Sequence, residues 1–425
     1  MWAALWRWIM SLVKGDRLFP VRAADGRIAG LKCTGAKEKG DRFIPVQMAD
    51  GRVAAVKVVA VKEKGQRGIP VRFADGQIGL AKFDSGMGPI FVCGSFSEIG
   101  GLARSRIANI NADGSVSDWN PSFTGTVWSM VALDGNLWVA SDLQAGLKSV
   151  HSFTLDGADR QLATTANNTS RIIATDGENI FFGGTFGLVN GETRTRLASV
   201  DQDGSLLSWV IPAEWERTDA VATVRGIGCD GGSVYADGLR FGASRHDAET
   251  GDYENWYFQW RQRGPSARRW AFDSAWVYLA GSFRTDMFST LGSYLAKASK
   301  TPSAPAYRAD QALDASFDPG LNGSVGGMVK IGNKIYFGGA FTDTAGGARN
   351  RLACIDTDGT MQSWDPDANG AVFAIAHQDG LFYIGGEFTE IGGKARNRLA
   401  CVDEDGAVTD WNPGANSGVQ DIVVV

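Results

Sequence analysis

Short apolar runs alternate with glycine and aspartate turns along most of the chain. In one clear example, apolar residues at 372–376 lead into a D-G turn and an aromatic run at 381–385. A Gly-Gly loop, an apolar run at 398–403, a D-x-D-G turn and a last run at 407–411 follow. Short strands joined by such turns, at about 45 residues per unit, predict four-stranded antiparallel blades of a β-propeller. A single blade cannot bury both of its faces, so the units must stack.

The unit recurs with fixed internal spacing. In four copies a Phe, an Arg and a Trp follow one another at intervals of 10 and then 13 residues: Phe96, Arg106, Trp119; Phe186, Arg196, Trp209; Phe341, Arg351, Trp364; and Phe388, Arg398, Trp411. The arginines would form either a ring of anion ligands or structural pairs with a turn carboxylate or a carbonyl of the next blade. Because they repeat, the structural role is favoured, and the tryptophans are interpreted as inter-blade packing.

Strand patterns predict seven blades. Six hairpins have a first and a second strand, at Val127–Ala140, Ser170–Gly183, Val221–Ala236, Ala267–Ala280, Val325–Gly338 and Val372–Gly385. Ile90–Gly94 resembles a second strand without a first, and Val419–Val425 resembles a first strand without a second. We therefore expect the C-terminal strand to complete the N-terminal blade, since closure removes exposed sheet edges. Six and eight blades are the alternatives.

A different repeat occupies residues 15–85. Segments that begin at Gly15, Gly40 and Gly65 each read as strand, A-D-G turn and strand, with a period of 25 residues. They predict three β-hairpins. Before them, residues 1–14 form an apolar segment in which Trp2, Leu5, Trp6, Trp8 and Ile9 would share adjoining helical faces and form an assembly anchor. The propeller is expected over residues 86–425.

The repeat resembles a known propeller family. GGAFTDTAGGARNRLACIDTDGTMQSWDP, GGEFTEIGGKARNRLACVDEDGAVTDWNP and LDASFDPGLNGSV are similar to the bacterial delta-sixty type of β-propeller repeat. The resemblance covers residues 90–425 and implies relatives among bacterial surface proteins and bacteriophage structural proteins, without a shared catalytic residue. The A-D-G hairpins resemble, more loosely, arrays in phage virion proteins.

Composition narrows the function classes. No apolar run of about 18 residues exists, and the first residues lack the charged start and cleavage site of a secretory signal peptide. Five cysteines are scattered without C-x-x-C spacing, which predicts neither a disulfide framework nor a zinc site. The net charge of −5 combines 16 Lys and Arg against 8 Asp and Glu in residues 1–85 with an acidic remainder. This split indicates two functional regions.

The sequence contains no clear catalytic or metal-binding motif. The D-x-D-G turns at Asp201, Asp356 and Asp403 lack the twelve-residue span and closing Glu of a calcium loop, so hairpin turns are favoured over metal sites. The three histidines stand apart from any motif nucleophile or acid. We therefore predict no enzyme activity, no metal and no cofactor.

Binding residues are expected where the repeat breaks. The segment 239–262 and an irregular stretch before it concentrate aromatic residues and arginine, the composition of binding hot spots. The candidates are Trp215, Tyr253, Trp256, Tyr257, Trp260 and Arg261. The alternative, weighed equally, is that these aromatics fill the core of a diverged blade.

Three functions compete. The first is a structural or binding component of a bacteriophage virion, in the tail, collar or decoration class, anchored to other virion proteins by residues 1–85 in a multi-subunit assembly. A host-surface glycan or protein is a further candidate partner, and no nucleic acid is expected. The second is a bacterial surface or glycan-binding propeller. The third is an enzyme acting on polysaccharide from a propeller face.

Overall fold

A computed structural model describes residues 88–425 except 147, 163, 195, 213–222, 240–241, 259–266, 284–293, 302–312 and 315, together with six strands between residues 17 and 82. Contacts divide the chain into two compact units, residues 1–87 and 88–425. Among the described residues every regular element is a strand. In this part of the chain no helix has the length and apolar character needed to cross a bilayer. The expected anchor residues Trp2, Leu5, Trp6, Trp8 and Ile9 lie outside the described residues.

The first unit contains antiparallel strand pairs. Its strands are β1 (Arg17–Arg22), β2 (Ile28–Cys33), β3 (Arg42–Gln47), β4 (Val53–Val58), β5 (Gly68–Arg72) and β6 (Ile78–Lys82). β1 pairs with β2, and the second sheet has the order β3-β4-β5-β6. Each of the three expected hairpin segments thus holds two paired strands around its A-D-G sequence.

In the described part of the second unit the larger sheets are antiparallel and number seven. Sheet 1 contains β7 (Ile90–Gly94), β10 (Ile107–Ile110) and β36 (Val419–Val424); sheet 2 contains β11 (Val127–Leu133), β12 (Asn136–Gln144) and β13 (Lys148–Thr154); sheet 3 contains β14 (Ser170–Thr175), β15 (Ile180–Gly184) and β18 (Leu197–Val200); sheet 4 contains β19 (Gly226–Asp230), β20 (Ser233–Leu239), β21 (Gly242–Asp247) and β22 (Tyr253–Phe258); sheet 5 contains β23 (Ala267–Phe272), β24 (Trp276–Gly281) and β25 (Leu295–Ser299); sheet 6 contains β26 (Val325–Ile331), β27 (Lys334–Gly339) and β30 (Leu352–Asp356); sheet 7 contains β31 (Val372–Gln378), β32 (Leu381–Gly386) and β35 (Leu399–Asp403).

Four small hairpins follow the second strands of sheets 1, 3, 6 and 7. They are β8 (Glu98–Ile99) with β9 (Leu102–Ala103), β16 (Leu188–Val189) with β17 (Glu192–Thr193), β28 (Asp343–Thr344) with β29 (Gly347–Ala348), and β33 (Glu390–Ile391) with β34 (Lys394–Ala395). These are the sheets that carry the Phe-Arg-Trp series, so the Gly-Gly loop seen in the sequence corresponds to a short two-stranded turn.

The two ends of the second unit meet in sheet 1. β36 pairs with β7, with Val419 opposite Gly94 and Ile422 opposite Val92. The inner strands, defined as β36, β11, β14, β19, β23, β26 and β31, contact one another from sheet to neighbouring sheet, and β36 contacts both β31 and β11. The pairing of the C-terminal segment with Ile90–Gly94 is therefore the one that the strand pattern predicts.

The outermost strand is shorter than the sequence predicts. In sheet 7 the expected fourth strand at 407–411 is reduced to one bridge between Val402 and Val408. The corresponding residues bridge once in sheets 1, 2, 3, 5 and 6. Sheet 4 differs because β22 is a full fourth strand paired with β21.

The core lies between neighbouring sheets. One cluster joins Tyr336 of sheet 6 to Phe382 of sheet 7, and another joins Trp138 of sheet 2 to Phe182 of sheet 3. The repeated tryptophans add a hydrogen bond across four of the interfaces between neighbouring sheets. Their indole N–H groups donate to a turn carbonyl of the next sheet: Trp119 to Gly157 (2.8 Å), Trp209 to Asp247 (2.8 Å), Trp364 to Asp403 (3.3 Å) and Trp411 to Asn111 (3.5 Å). Their role in inter-blade packing follows directly from this geometry.

Candidate functional site

A cavity of about 300 Å³ lies where the inner strands begin. Its lining comes from all seven sheets: Trp128, Arg171, Ile172, Arg225, Arg268, Arg269, Gly326, Phe373 and Gln420. Apart from Ile172 and Arg269, each of these residues is the first or second residue at the start of its inner strand, or directly precedes it. The cavity is therefore formed by the starts of the inner strands, and we call it the axial cavity.

Backbone irregularity aims these side chains into the cavity. In sheets 2, 3, 5, 6, 7 and 1 the register between the first two strands shifts at one residue near the start of the inner strand. These bulge residues are Trp128, Arg171, Arg268, Gly326, Phe373 and Gln420. A bulge adds one residue to a strand and turns its side chain away from the regular alternation. Arg225 stands directly before β19 in sheet 4 and completes the series.

Positive charge is concentrated on one side of the cavity. Arg171, Arg225 and Arg268 belong to three successive sheets, 3, 4 and 5. Among the described residues no carboxylate lies within ion-pair distance of any of these three guanidinium groups. Gly326, Phe373, Gln420 and Trp128 supply the uncharged side, from sheets 6, 7, 1 and 2.

The arginines disfavour one another's charge. The side chain of Arg268 is exposed at the cavity, and the cavity walls partly desolvate its guanidinium group. That desolvation lowers its pKa first, and the nearby Arg225, Arg269 and Arg171 lower it further, while Asp237 raises it. Burial also lowers the pKa of Arg171, with Asp142 opposing and Arg225 reinforcing the shift. Guanidinium groups remain charged despite such shifts, so the cluster attracts an anion that offsets the repulsion.

Arg269 spans the base of the cavity. From sheet 5, its Nε donates to the carbonyl of Gly326 in sheet 6 at 3.0 Å. Its Nη2 lies 3.4 Å from the carbonyl oxygen of Phe373 in sheet 7 and 3.1 Å from Oδ1 of Asp421 in sheet 1. Asp421 in turn accepts the backbone N–H of Met130 in sheet 2 at 2.9 Å. One arginine–aspartate pair thus connects five of the seven sheets.

The other nearby carboxylates are held within the walls. Asp142 accepts the indole N–H of Trp128 at 2.8 Å and the backbone N–H of Thr126 at 2.9 Å. Asp237 accepts the backbone N–H of Ala267 at 2.8 Å. Neither carboxylate lines the cavity. They moderate the positive field and fix the wall, and the guanidinium groups remain the charged groups that a ligand meets.

Trp128 is held on both sides. Its indole nitrogen is bound to Asp142, and the guanidinium of Arg171 lies 4.2 Å from the ring centroid, a cation–π contact. Phe373 is half-buried on the same uncharged side, separated from Trp128 by Gln420 of sheet 1. The cavity therefore combines cationic groups with two aromatic rings. One is the indole of Trp128, which Arg171 already covers, and the other is the ring of Phe373.

The residues expected to bind a partner are placed differently. Trp256 is fully buried, packs edge-on against Tyr235 with ring centroids 5.2 Å apart, and donates its indole N–H to the Ser299 carbonyl at 2.9 Å. It is therefore the sheet 4 counterpart of the repeated tryptophans, and it fills the core of its blade as the alternative interpretation states. Tyr253 is half-buried and packs against the core between sheets 3 and 4. For both residues the structure favours the core alternative.

The remaining candidates stay predictions. Tyr257 lies in β22 opposite Ser244. Trp215, Trp260 and Arg261 lie outside the described residues.

Sequence reasoning missed the axial arginines, although a signal was present. Once the six predicted hairpins are aligned by their first residue, the next column contains Trp128, Arg171, Arg268, Gly326 and Phe373 in five of them, whereas the hairpin that was placed at Val221 puts Ala222 there and not Arg225. The repeated arginines of the motif give a stronger periodic signal. Arg351 and Arg398 have positive φ angles of 68° and 64°. Arg351 donates to the carbonyl of Phe341 in its own repeat (3.3 Å), whereas Arg398 donates to the carbonyl of Ala415 (3.3 Å), a residue that bridges Ile99 in the small hairpin of sheet 1. Both arginines hold loops through backbone carbonyls, which is the structural role that the sequence favours.

Two serine–histidine pairs lie in the described sheets. Ser244 Oγ is 2.8 Å from His246 Nε2, while His246 Nδ1 is 3.2 Å from the carbonyl oxygen of Gly251. Both side chains are buried, and the group that orients the imidazole is a carbonyl. Ser141 and His151 form a similar, longer pair at 3.3 Å. The first pair lies within one strand, β21, the second joins β12 to β13, and none of the four residues lines the cavity.

Burial makes His246 sensitive to acid. Desolvation lowers the pKa of His246 from 6.5 to about 4. Between these pH values the unfolded chain binds a proton that the folded chain does not, so the free energy of unfolding falls as the pH decreases from 6.5 to 4. A shift of this size corresponds to about 3 kcal/mol over the window. Urea denaturation at pH 7 and pH 4.5 should show this dependence reduced by about 2–3 kcal/mol in His246→Gln. An unchanged pH dependence in the variant would contradict the assignment.

The described residues contain no group of three His, Cys, Asp or Glu side chains placed to hold a metal ion. The D-x-D-G turns use their carboxylates locally. Asp201 accepts the backbone N–H groups of Asp203 (2.9 Å) and Ser205 (2.8 Å), and Gly204 has a positive φ of 83°. This is the arrangement expected of a hairpin turn.

A family model supports the fold class. A family model described as a β-propeller domain of unknown function (DUF5122) matches residues 88–116, 333–361 and 377–408, which lie in sheets 1, 6 and 7. No curated protein matches the chain.

Solved structures with a similar arrangement share little sequence. The computationally designed Ika8 protein is 13% identical, with a TM-score of 0.47, over 77% of this chain and 91% of that protein. BamB from Moraxella catarrhalis is 14% identical, with a TM-score of 0.41, over 80% and 92%. A chain of the nidogen/laminin complex is 12% identical, with a TM-score of 0.39, over 80% and 98%. The family match and the antiparallel sheets together identify the second unit as an all-β fold of the β-propeller type.

Proposed function

We propose that this chain is a non-enzymatic binding protein whose propeller holds an anionic group in the axial cavity. The observation that carries the proposal is the set of three guanidinium groups, Arg171, Arg225 and Arg268, that line one side of the cavity without a carboxylate in ion-pair distance among the described residues. Arginine forks bind carboxylate and phosphate oxygens through paired hydrogen bonds. An anion in this position relieves the repulsion within the cluster.

The proposal includes a closed ring of seven blades. Its support is the pairing of β36 with β7 and the contact of β36 with the inner strands of both neighbouring sheets. Closure would bring the starts of all seven inner strands together, and this is the arrangement on which the cavity depends. A ring of six blades would leave out one of the seven sheets that line the cavity, and a ring of eight would need one further sheet.

The absence of catalysis is also part of the proposal. The side chains that line the cavity are arginine, aromatic, aliphatic and amide groups. None of these groups exchanges protons near neutral pH, which general acid–base catalysis requires. The chemistry of this lining supports binding and positioning of a charged ligand.

Anion binding can be measured directly on the full chain. Pyrophosphate should raise the midpoint of thermal unfolding in a saturable way, because a ligand that binds the folded state alone stabilises it. Arg268→Gln should weaken pyrophosphate binding about tenfold or more, since a hydrogen bond to a charged group contributes about 1.5–3 kcal/mol. Arg349→Gln, which removes a guanidinium paired with Asp365 away from the cavity, is the matched control.

A linear rise in the midpoint with total salt, equal in both variants, would show that the anion acts on the solvent and not at the cavity. That outcome would exclude the proposed site.

Placement of the protein in a virion rests on the repeat resemblance and the two-part charge distribution. We retain it as a proposal, with residues 1–85 as the region that attaches to other virion proteins. Exposure on a bacterial surface is the alternative, and an anion-binding cavity is compatible with either location.

A further inference from the structure

We infer that the axial cavity takes a small phosphorylated compound with a flat ring, of which a nucleoside monophosphate is the simplest form. The inference rests on the anion binding proposed above and assigns the ligand class. It follows from the division of the cavity into a guanidinium side and an uncharged side that contains an aromatic ring and an amide.

The guanidinium side fits a tetrahedral anion. Arg171, Arg225 and Arg268 enter the cavity from three successive strands, and Arg269 lies close enough to affect Arg268 electrostatically. A carboxylate offers two oxygens in one plane, which one or two arginine forks satisfy. A phosphate monoester offers three oxygens directed to different sides and up to two negative charges, so it can accept donors that converge from three strands.

The opposite side fits a flat ring. Phe373 and Gln420 are neighbours there, on β31 and β36, and both are half-buried. Gly326, between Arg268 and Phe373 in the order of the sheets, contributes no side chain to the wall, and a Cβ there would lie 2.6 Å from the carbonyl oxygen of Val372, so the glycine allows β26 and β31 to approach closely. Aromatic rings stack on nucleobases, and an amide can donate to and accept from the edge of a base. Trp128 is less available because Arg171 already lies on it.

The size of the cavity limits the ligand. About 300 Å³ lies at the lower end of the range for small-molecule sites. This volume suits a nucleobase with its ribose and one phosphate, and it excludes a folded macromolecular segment. The cavity therefore selects a small ligand, with the charge at sheets 3 to 5 and the ring at sheets 6, 7 and 1.

Calorimetric titration of the full chain with five probes tests the inference: inorganic phosphate, pyrophosphate, adenosine, AMP and glucuronic acid. AMP should bind at least tenfold more tightly than inorganic phosphate and than adenosine, because it engages both sides of the cavity. Phe373→Ala should lower AMP affinity about tenfold and leave pyrophosphate affinity unchanged. Phe373→Leu, which keeps apolar bulk without a flat ring, is the matched control and should resemble Phe373→Ala. Arg268→Gln should weaken AMP and pyrophosphate alike.

The outcomes separate the inference from the function on which it rests. If pyrophosphate binds at the cavity and AMP is no better than inorganic phosphate, the ligand class is wrong and anion binding stands. If glucuronic acid binds as tightly as AMP, the charged side recognises a carboxylate and the phosphate assignment is overturned. If Phe373→Ala leaves AMP affinity unchanged, the ring does not occupy the proposed side. If no probe binds, both the inference and the proposed function fail.

Discussion

Removal of residues 419–425 should abolish cooperative folding of the propeller unit. This segment forms β36, the inner strand of sheet 1, and it pairs with β7 along its length. Val419 is fully buried and Ile422 nearly so. Each such side chain contributes about 1.5–3 kcal/mol on burial, and deletion would also expose the edge of β7 and the faces of sheets 2 and 7. The sum is comparable to the whole stability of about 5–15 kcal/mol expected of a folded protein.

The measurement is urea denaturation followed by circular dichroism and tryptophan fluorescence. Deletion of Val425 alone is the matched control, because it leaves all of β36 and should retain a cooperative transition. A synthetic peptide of residues 416–425, added to the truncated chain, should restore part of the folded signal. If the truncated chain unfolds cooperatively at the original urea midpoint, β36 does not complete the first sheet.

The repeat made the fold readable from the sequence. Phe341, Arg351 and Trp364 recur with constant spacing because each serves one structural interface that is repeated around the sheets. The indole of Trp364, for example, reaches Asp403 of the next sheet. A residue that meets the same neighbour in every unit leaves a periodic trace, and such a trace requires no knowledge of the tertiary structure.

Sheet 4 departs from the periodicity of the other sheets. The first strand there begins at Gly226, whereas the apolar pattern placed its start at Val221. Trp256 lacks the spacing of the other tryptophans, since its acceptor Ser299 is 43 residues away where Trp209 and Asp247 are separated by 38. A longer connection hid a structural residue among the aromatics of segment 239–262. Length changes in loops cost little free energy, so they accumulate without altering the packing that they conceal.

The axial cavity illustrates a second limit. Most of its lining residues occupy one equivalent position in successive units, but they differ in type, from glycine to tryptophan. A position that varies between repeats does not recur as one residue type, so the aligned hairpins give only a weak signal there. The structure identifies this position, because the bulges fall on it and its residues line the cavity. Structural roles in this chain are therefore repeated, whereas the candidate binding role lies in the variation.

The second large effect is expected at Asp421. Asp421→Ala should lower the free energy of unfolding by about 3–5 kcal/mol, because it leaves the largely buried charge of Arg269 without its counter-ion and Met130 N–H without its acceptor. Asp203→Ala is the matched control. Asp203 pairs at 3.6 Å with Arg160, whose side chain is 22% exposed like that of Arg269, but the Asp203 side chain itself is 90% exposed, so its loss should cost less than about 1 kcal/mol. Urea denaturation at pH 7 compares the two variants.

The same substitution should act in the opposite direction on anion binding. Asp421 is the carboxylate in direct contact with Arg269 at the base of the cavity. Removing it adds one uncompensated positive charge beside Arg268, so pyrophosphate should bind Asp421→Ala more tightly than the unaltered chain, at a temperature where both are folded. Lower stability combined with higher anion affinity would separate the two roles of the cluster. Equal stability in Asp421→Ala and Asp203→Ala would show that the Arg269–Asp421 pair does not hold the five sheets together.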